Sequence, residues 1–319
     1  MNQFKRLLKM NPWKLLKKIC CFEEIYTIGY RNRDGRTLQD SSLLEFDRLP
    51  FDKYCWYADP ILIEHEGKTC LFMESYDMRT RLGSIACSVF GEDGQLSAPR
   101  LIIEEPYHMS FPMVFHWNGG LYMIPETCGN RSLNLYRCQG DITHWTLEVS
   151  FPVAEALVDT AVVACYEDRV ELLTSALNPK DSLSCRWQKY ALYRDGASYR
   201  LEPDAAFNSR EDYDKGYRMA GSLIRENGRE ILPTQESTDV DYGAYLYLND
   251  FSGRDVTDMP VLKKVTADNI LLPDVAQKAQ IGVHSYALSE QYEVIDMRYF
   301  RFYPQNRLWK ITNKFRSKK

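Results

Sequence analysis

The chain has 319 residues and a mass of 37.2 kDa, with 45% apolar residues, 26% charged residues and a net charge of −4. This balance belongs to a globular protein with a sizeable core, and it excludes a disordered chain, a collagen-like repeat and a coiled-coil rod. No stretch reaches the roughly 18 consecutive apolar residues of a membrane-spanning helix.

Residues 1–22 carry six cations (Lys5, Arg6, Lys9, Lys14, Lys17, Lys18) and no acid, mixed with Phe4, Leu7, Leu8, Trp13, Leu15, Leu16 and Ile19. Lysines interrupt every apolar run, so no signal-peptide core is expected. A basic amphipathic segment of this kind either lies on an anionic membrane surface or packs one apolar stripe on its own domain. Residues 301–319 have the same character, with seven cations and no acid. The intervening body is acidic, which argues against a nucleic-acid partner.

Aromatic residues reach 13%, with 21 Tyr, and this favours strands. Residues 23–50 read as strand-like. Beyond them, five segments read alike: an apolar strand, a polar turn, and a second apolar strand with a polar end. They are 59–74, 111–126, 159–175, 220–236 and 283–298, with turns at Gly67, Gly119, Asp168, Gly228 and Glu290. Further strand-like runs follow at 84–90, 132–138, 187–193 and 243–248. A period of about 50 residues with about four strands per unit is the signature of propeller blades. The expected fold is all-β: a five-bladed β-propeller over residues 23–300, with a basic amphipathic segment at 1–22 and a basic tail at 301–319. Residues 23–50 are expected to complete the last blade, which would bring both basic ends to one seam.

None of the nine Cys has CxxC spacing, and no zinc pattern occurs. Free thiols in a reduced, cytoplasmic setting are the simplest reading. Nucleotide-binding and hydrolase motifs are missing from the sequence. Asp239-Val240-Asp241 is a three-residue acidic pattern that reads as a solvated turn, so neither a metal nor a cofactor is expected.

In a propeller the openings of the inner strands converge on one mouth. Here they supply Asp59, His108 with Ser110, Asp159, Arg218 and His284 with Ser285 and Tyr286. The ends of the second strands add Glu74, Glu126, Gln235 and Glu236. Acids that accept hydrogen bonds, beside Arg and His that donate them, suit the hydroxyls of a sugar ring. The same residue types also serve as hydrogen-bond clips between blades.

The segments Tyr57–Pro60, 104–115, 121–127, 217–223, 233–237, Asp241-Tyr242-Gly243 and 284–298 resemble the N-terminal propeller domain of the glucosamine inositolphosphorylceramide transferase family, over roughly residues 54–300. The resemblance implies a fold similar to the five-bladed glycosidases of the arabinanase and invertase type. It also implies a place in surface-polysaccharide or glycolipid assembly. Asp59 then matches the first-blade acid that acts as base or nucleophile, and Asp159 the third-blade acid. Arg218-Met219-Ala220-Gly221 stands where those glycosidases present their acid Glu, so Glu126 or Glu236 would have to replace it. Tyr242 joins the substrate-binding set through the same resemblance.

The expectation is therefore a glycosyltransferase with Asp59, Asp159 and Glu126 as its catalytic carboxylates. Glu74, His108, Ser110, Arg218, Gln235, Tyr242, His284 and Tyr286 would hold the substrate. Its partners would be an activated donor (a nucleotide sugar) and a glycan or lipid-linked acceptor, at the inner face of an anionic membrane. A glycoside hydrolase or phosphorylase, and a non-catalytic glycan-binding propeller, remain as alternatives.

Overall fold

The computed structural model describes residues 22–305 except residue 240, together with Trp309. The expected N-terminal segment 1–22, apart from Phe22, and most of the tail beyond 305 lie outside the described residues.

Five antiparallel sheets follow one another around an axis. Blade 1 contains Cys55–His65, Lys68–Asp77, Leu82–Val89 and Arg100–Ile103. Blade 2 contains Ser110–Trp117, Gly120–Glu126, Ser132–Gln139 and Asp141–Pro152. Blade 3 contains Leu157–Cys165, Arg169–Asn178, Asp181–Asp195 and Ser198–Pro203. In blade 4 the inner strand is broken into Arg218–Met219 and Ile224–Glu226, followed by Arg229–Glu236, Tyr245–Asp250 and Val261–Val265. The fold is the expected all-β five-bladed propeller.

Blade 5 closes the ring from both ends of the sequence. Tyr286–Leu288 and Gln280–Gly282 pair with Tyr292–Phe302, and that strand pairs on its other edge with Phe22–Asn32. The register runs without a break from Phe22 opposite Phe302 to Asn32 opposite Tyr292. Asp47–Arg48 adds the outer edge. Residues 23–50 thus complete the last blade, and the two ends of the described chain meet at one seam.

The second strand of each blade is sandwiched between two neighbouring blades. That explains the near-continuous apolar run of Lys68–Asp77, which is buried from Thr69 to Ser75. Outer strands such as Asp141–Pro152 are largely exposed. The cores lie between blades. Ile28, Leu71, Met73 and Val294 fill the interface of blades 5 and 1. Ile25, Leu248, Val283 and Ile295 fill that of blades 4 and 5. The seven described cysteines are all free thiols. No helix among the described residues is long and apolar enough to cross a membrane.

The closing seam tests the architecture. Ile295 is fully buried beneath it. Ile295→Ala is expected to cost about 2–5 kcal/mol of unfolding free energy, read from the urea midpoint.

Candidate active site in the axial cavity

The site is built on a repeated irregularity. In blade 1 the ladder steps from Ala58–Glu74 to Ile61–Phe72. In blade 2 it steps from Ser110–Glu126 to Met113–Ile124, and in blade 3 from Val158–Ser175 to Ala161–Leu173. Each inner strand carries one extra residue, a β-bulge. The first residue of each bulge has a left-handed backbone: Asp59 (φ 53°), Phe111 (φ 42°) and Asp159 (φ 48°).

A bulge removes an N–H from the ladder, and a buried N–H needs an acceptor. Carboxylates from the preceding blade supply it. Asp296 of blade 5 accepts the Asp59 amide at 3.1 Å. Asp59 of blade 1 accepts the Phe111 amide at 3.2 Å. Glu126 of blade 2 accepts the Asp159 amide at 3.3 Å. Asp159 of blade 3 then accepts from the Arg218 guanidinium and from Gln235 Nε2 of blade 4. The acids therefore act as clips from blade to blade, and they crowd around the axis.

Above this ring lies a cavity of about 310 Å³, lined by Tyr26, Trp56, Ala58, Asp59, Glu74, His108, Ser110, Glu126, Arg218, Tyr242 and His284. The carboxyl groups on its wall differ in ionisation. Burial, followed by the charge of Asp159, raises Glu126 to about 8 against the pull of Arg218. Burial raises Asp59 to about 6, with His284 opposing and Asp159 and Asp296 reinforcing the shift. Burial and then the charges of Asp59 and Glu126 push Glu74 well above the ordinary range. With a pKa of about 6 against about 8, Asp59 ionises more readily than Glu126, and burial drives Glu74 toward its protonated form.

Glu74 differs from the clip residues. It is only 4% exposed, and its Oε1 has no hydrogen-bond partner in the structure. The nearest donor is His108 Nε2 at 3.6 Å. His108 Nδ1 accepts the Gly83 amide at 2.9 Å, which places the ring proton on Nε2, and burial keeps the imidazole neutral. A Cβ on Gly83 would come within 2.5 Å of Glu74 Oε1 and 2.8 Å of His108 Cε1, so glycine is needed there to seat the pair.

Opposite sits His284. Burial works against its charge, but Asp296, 2.6 Å from Nδ1, outweighs that and raises its pKa. Tyr26 stacks on the His284 ring at 4.8 Å, and Trp56 lies 5.0 Å from Tyr26 and 4.3 Å from Tyr76. These rings form an aromatic wall. Burial also opposes the charge of Arg218. Asp159, Tyr242 and Glu126, the last at 3.5 Å, nevertheless raise its pKa well above the ordinary value.

Most of the sequence candidates converge. Asp59, Glu74, His108, Ser110, Glu126, Arg218, Tyr242 and His284 line the cavity. Asp159 and Gln235 sit behind the wall, where Gln235 Nε2 donates to the Tyr242 hydroxyl at 3.3 Å. Tyr286 is elsewhere, buried in the core between blades 4 and 5 with its hydroxyl donating to Glu293 at 2.7 Å. In blade 5 the extra residue falls between the Gly282–Arg298 and Tyr286–Ile295 pairs, ahead of Tyr286, which then pairs with Ile295 within the core between blades 4 and 5. Glu236 faces away from the cavity and accepts from the Tyr247 hydroxyl. Asp239 pairs with Lys215.

Sequence reasoning missed Asp296, Tyr26 and Trp56. Asp296 stands opposite Ser285, the position that Glu74 holds opposite Ala58, so counting back along the fifth hairpin would have found it.

Residues 52–191 match the family described as Glucosamine inositolphosphorylceramide transferase 1, N-terminal. That is the family the chain resembles. The glucosamine inositolphosphorylceramide transferase 1 of Arabidopsis thaliana is 35% identical over 208 residues, which cover 54% of this chain and 26% of the plant protein. The protein of the same name from Oryza sativa subsp. indica is 30% identical over 107 residues, covering 33% and 14% of the two chains. The chain thus spans about a quarter or less of the length of these relatives. In fold it is similar to the catalytic domain of the Coprinopsis cinerea GH62 α-L-arabinofuranosidase, with a TM-score of 0.51 and 12% identity over 76% of this chain and 90% of that domain.

Two measurements check the electrostatics. The folded state holds the Glu126 proton more tightly than the unfolded chain does. Its contribution to stability is therefore full at low pH and is lost as pH rises through about 8. The melting temperature is expected to fall between about pH 5 and 8, and Glu126→Gln is expected to flatten that slope. Arg218 is 14% exposed and shared between Asp159 and Glu126. Its replacement by Ala strands two buried acids, so a loss of about 3–5 kcal/mol is expected in denaturant titration.

Proposed function

We propose that the axial cavity binds a sugar ring and that the protein is a carbohydrate-active transferase of surface-polysaccharide or glycolipid assembly. It would move a glycosyl group from an activated donor to a hydroxyl of a glycan acceptor. The observation that carries this reading is the set of buried carboxyl groups around one small cavity, with Glu74 left with an unpaired oxygen beside His108 Nε2 and pushed further toward its protonated form by burial and by the charge of Asp59. Environments that push neighbouring carboxyl groups apart in this way assign the roles of base and acid. A cavity of about 310 Å³ with an aromatic wall fits one or two sugar rings, not the body of a polymer.

In this reading the acceptor hydroxyl loses its proton to Asp59 while its oxygen bonds to the anomeric carbon. The bond from that carbon to the donor oxygen breaks, and Glu74 protonates the departing oxygen. Glu126 is the second neutral acid within the cavity, and His108 Nε2–H donates beside Glu74. Arg218 and His284, the cations on the wall, are each already paired with acids. A charged leaving phosphate is therefore better accommodated at the mouth than within the ring of carboxylates, and a neutral sugar is the group that enters.

A second reading draws on the same pair. Glycoside hydrolysis needs one neutral and one ionised carboxyl group beside the bond. Glu74 supplies the acid that the fourth blade lacks, and water or phosphate would then replace the glycan acceptor.

A thermal-shift screen against nucleotide sugars and plain oligosaccharides tests donor and acceptor binding together. Turnover of the responding sugars then separates transfer, which yields a longer glycan, from hydrolysis, which yields a free sugar. Glu74→Gln and Asp59→Asn are expected to lower turnover by about 10²–10⁴-fold. Gln at 74 breaks no hydrogen bond of the ring, so that variant should keep the melting temperature, whereas Asn at 59 leaves a single oxygen for the Phe111 amide and the Ser285 hydroxyl and is expected to melt lower. Wild-type turnover in both would sink the acid–base assignment.

A further inference from the structure

Strand direction gives the propeller a mouth side and a closed side. The inner strand of blade 1 runs from Cys55 past Trp56 and Asp59, on the cavity wall, to Ile61, which is fully buried beneath it, and ends at His65. The second strand of blade 5 runs the opposite way to its inner partner. It passes Asp296 at the axis and ends at Phe302, up to about 20 Å further toward the mouth. Phe22, opposite Phe302, begins the closing strand on that same side.

Aromatic and basic side chains interleave at this edge. Phe302 is 58% exposed and meets Phe22 edge-on at 5.5 Å. Arg301 lies over the Phe51 ring at 3.6 Å, and Lys53 and Arg79 lie over Tyr54 at 4.6 and 4.5 Å. Trp309 packs on Tyr54 at 5.6 Å and on Tyr303 at 6.0 Å. Glu23, Asp52 and Asp77 lie among them, and Asp77 is paired with Arg79. Residues 1–21 and 306–319, which join the chain at this seam, each carry six cations and no acid.

A cleft on the closed side has the opposite sign. It lies between blades 1 and 5, has a volume of about 970 Å³ and is lined by Glu64, Glu92, Asp93 and Glu290, with Lys68 as its cation. The mouth edge of blades 5 and 1 is thus rich in aromatic rings with three cations and three acids among the described residues, the flanking sequences 1–21 and 306–319 add only cations, and the cleft on the far side is lined by acids. Aromatic rings among cations are the composition of a surface that sits at a membrane interface, where rings enter the headgroup layer and cations meet anionic lipid.

We propose that the mouth edge of blades 5 and 1 docks on an anionic bilayer, so that the axial cavity opens toward the lipid headgroups. Docking is independent of the chemistry in the cavity. Its consequence, that the sugar entering the cavity is carried by a membrane lipid, rests on the sugar-binding reading above.

The test is flotation of the full chain with vesicles of phosphatidylcholine alone and of phosphatidylcholine doped with phosphatidylglycerol. Binding is expected to the doped vesicles only, weakened by salt. The double variant Phe302→Asp, Lys53→Glu should bind about tenfold more weakly, and the far-side pair Glu92→Gln, Asp93→Asn should bind as wild type. Failure of the wild type to float, or unchanged binding of the mouth-edge variant, would overturn the proposal. So would equal capture of wild type and mouth-edge variant on heparin beads with no preference for lipid, which would mark a general polyanion surface. A sugar-induced thermal shift is measured on the same variants. A mouth-edge variant that loses vesicles but keeps the shift supports docking, whereas vesicle binding without any sugar shift counts against the sugar reading alone.

Discussion

The contact on which the structure depends is a carboxylate of one blade accepting the bulge amide of the next. It occurs from Asp296 to Asp59, from Asp59 to Phe111 and from Glu126 to Asp159. The bulge creates a buried donor with no ladder partner, and the acid that satisfies it must come from the neighbouring sheet. Local irregularity and ring closure are therefore the same event. The arrangement concentrates negative charge at the axis, where Arg218 and His284 offset part of it and burial keeps other members protonated.

This gives the site two kinds of acid. Asp59, Glu126 and Asp296 hold blades together while Asp59 and Glu126 also face the cavity. Glu74 accepts no amide of a neighbouring blade, and its Oε1 has no hydrogen-bond partner. A structural role explains why the first group is there, but it does not explain a buried carboxyl oxygen left without a hydrogen bond. An unsatisfied polar group in a cavity wall costs stability, and a ligand that donates to it or accepts from it would recover that cost. Substitution at Asp59 or Glu126 mixes two effects, whereas substitution at Glu74 reports on one.

The fold was legible because the inner hairpins are buried on both faces and so read as apolar runs around a polar turn. The outer strands, such as Asp141–Pro152 and Ser198–Pro203, left no clear pattern, because one face or both are exposed. The site was legible where aligned repeats put a chemically distinctive residue at the strand opening, as at Asp59, His108 and Arg218. It was illegible in two ways. Trp56 and Tyr26 are aromatics in strands of an aromatic-rich chain, and nothing in the sequence sets them apart. Tyr286 was misplaced because the one-residue slip of blade 5 falls ahead of it, between the Gly282–Arg298 and Tyr286–Ile295 pairs, and hydrophobic pattern does not encode where such a slip falls.

The last blade also sets an order in time. Its third strand, Phe22–Asn32, leaves the ribosome about 270 residues before its partner Tyr292–Phe302. At typical synthesis rates that strand waits roughly a quarter of a minute to a minute for its mate. Through that interval Ile25, Ile28 and an open backbone edge have no native cover. A nascent chain built this way gains from any surface that holds its first strand until the ring can shut.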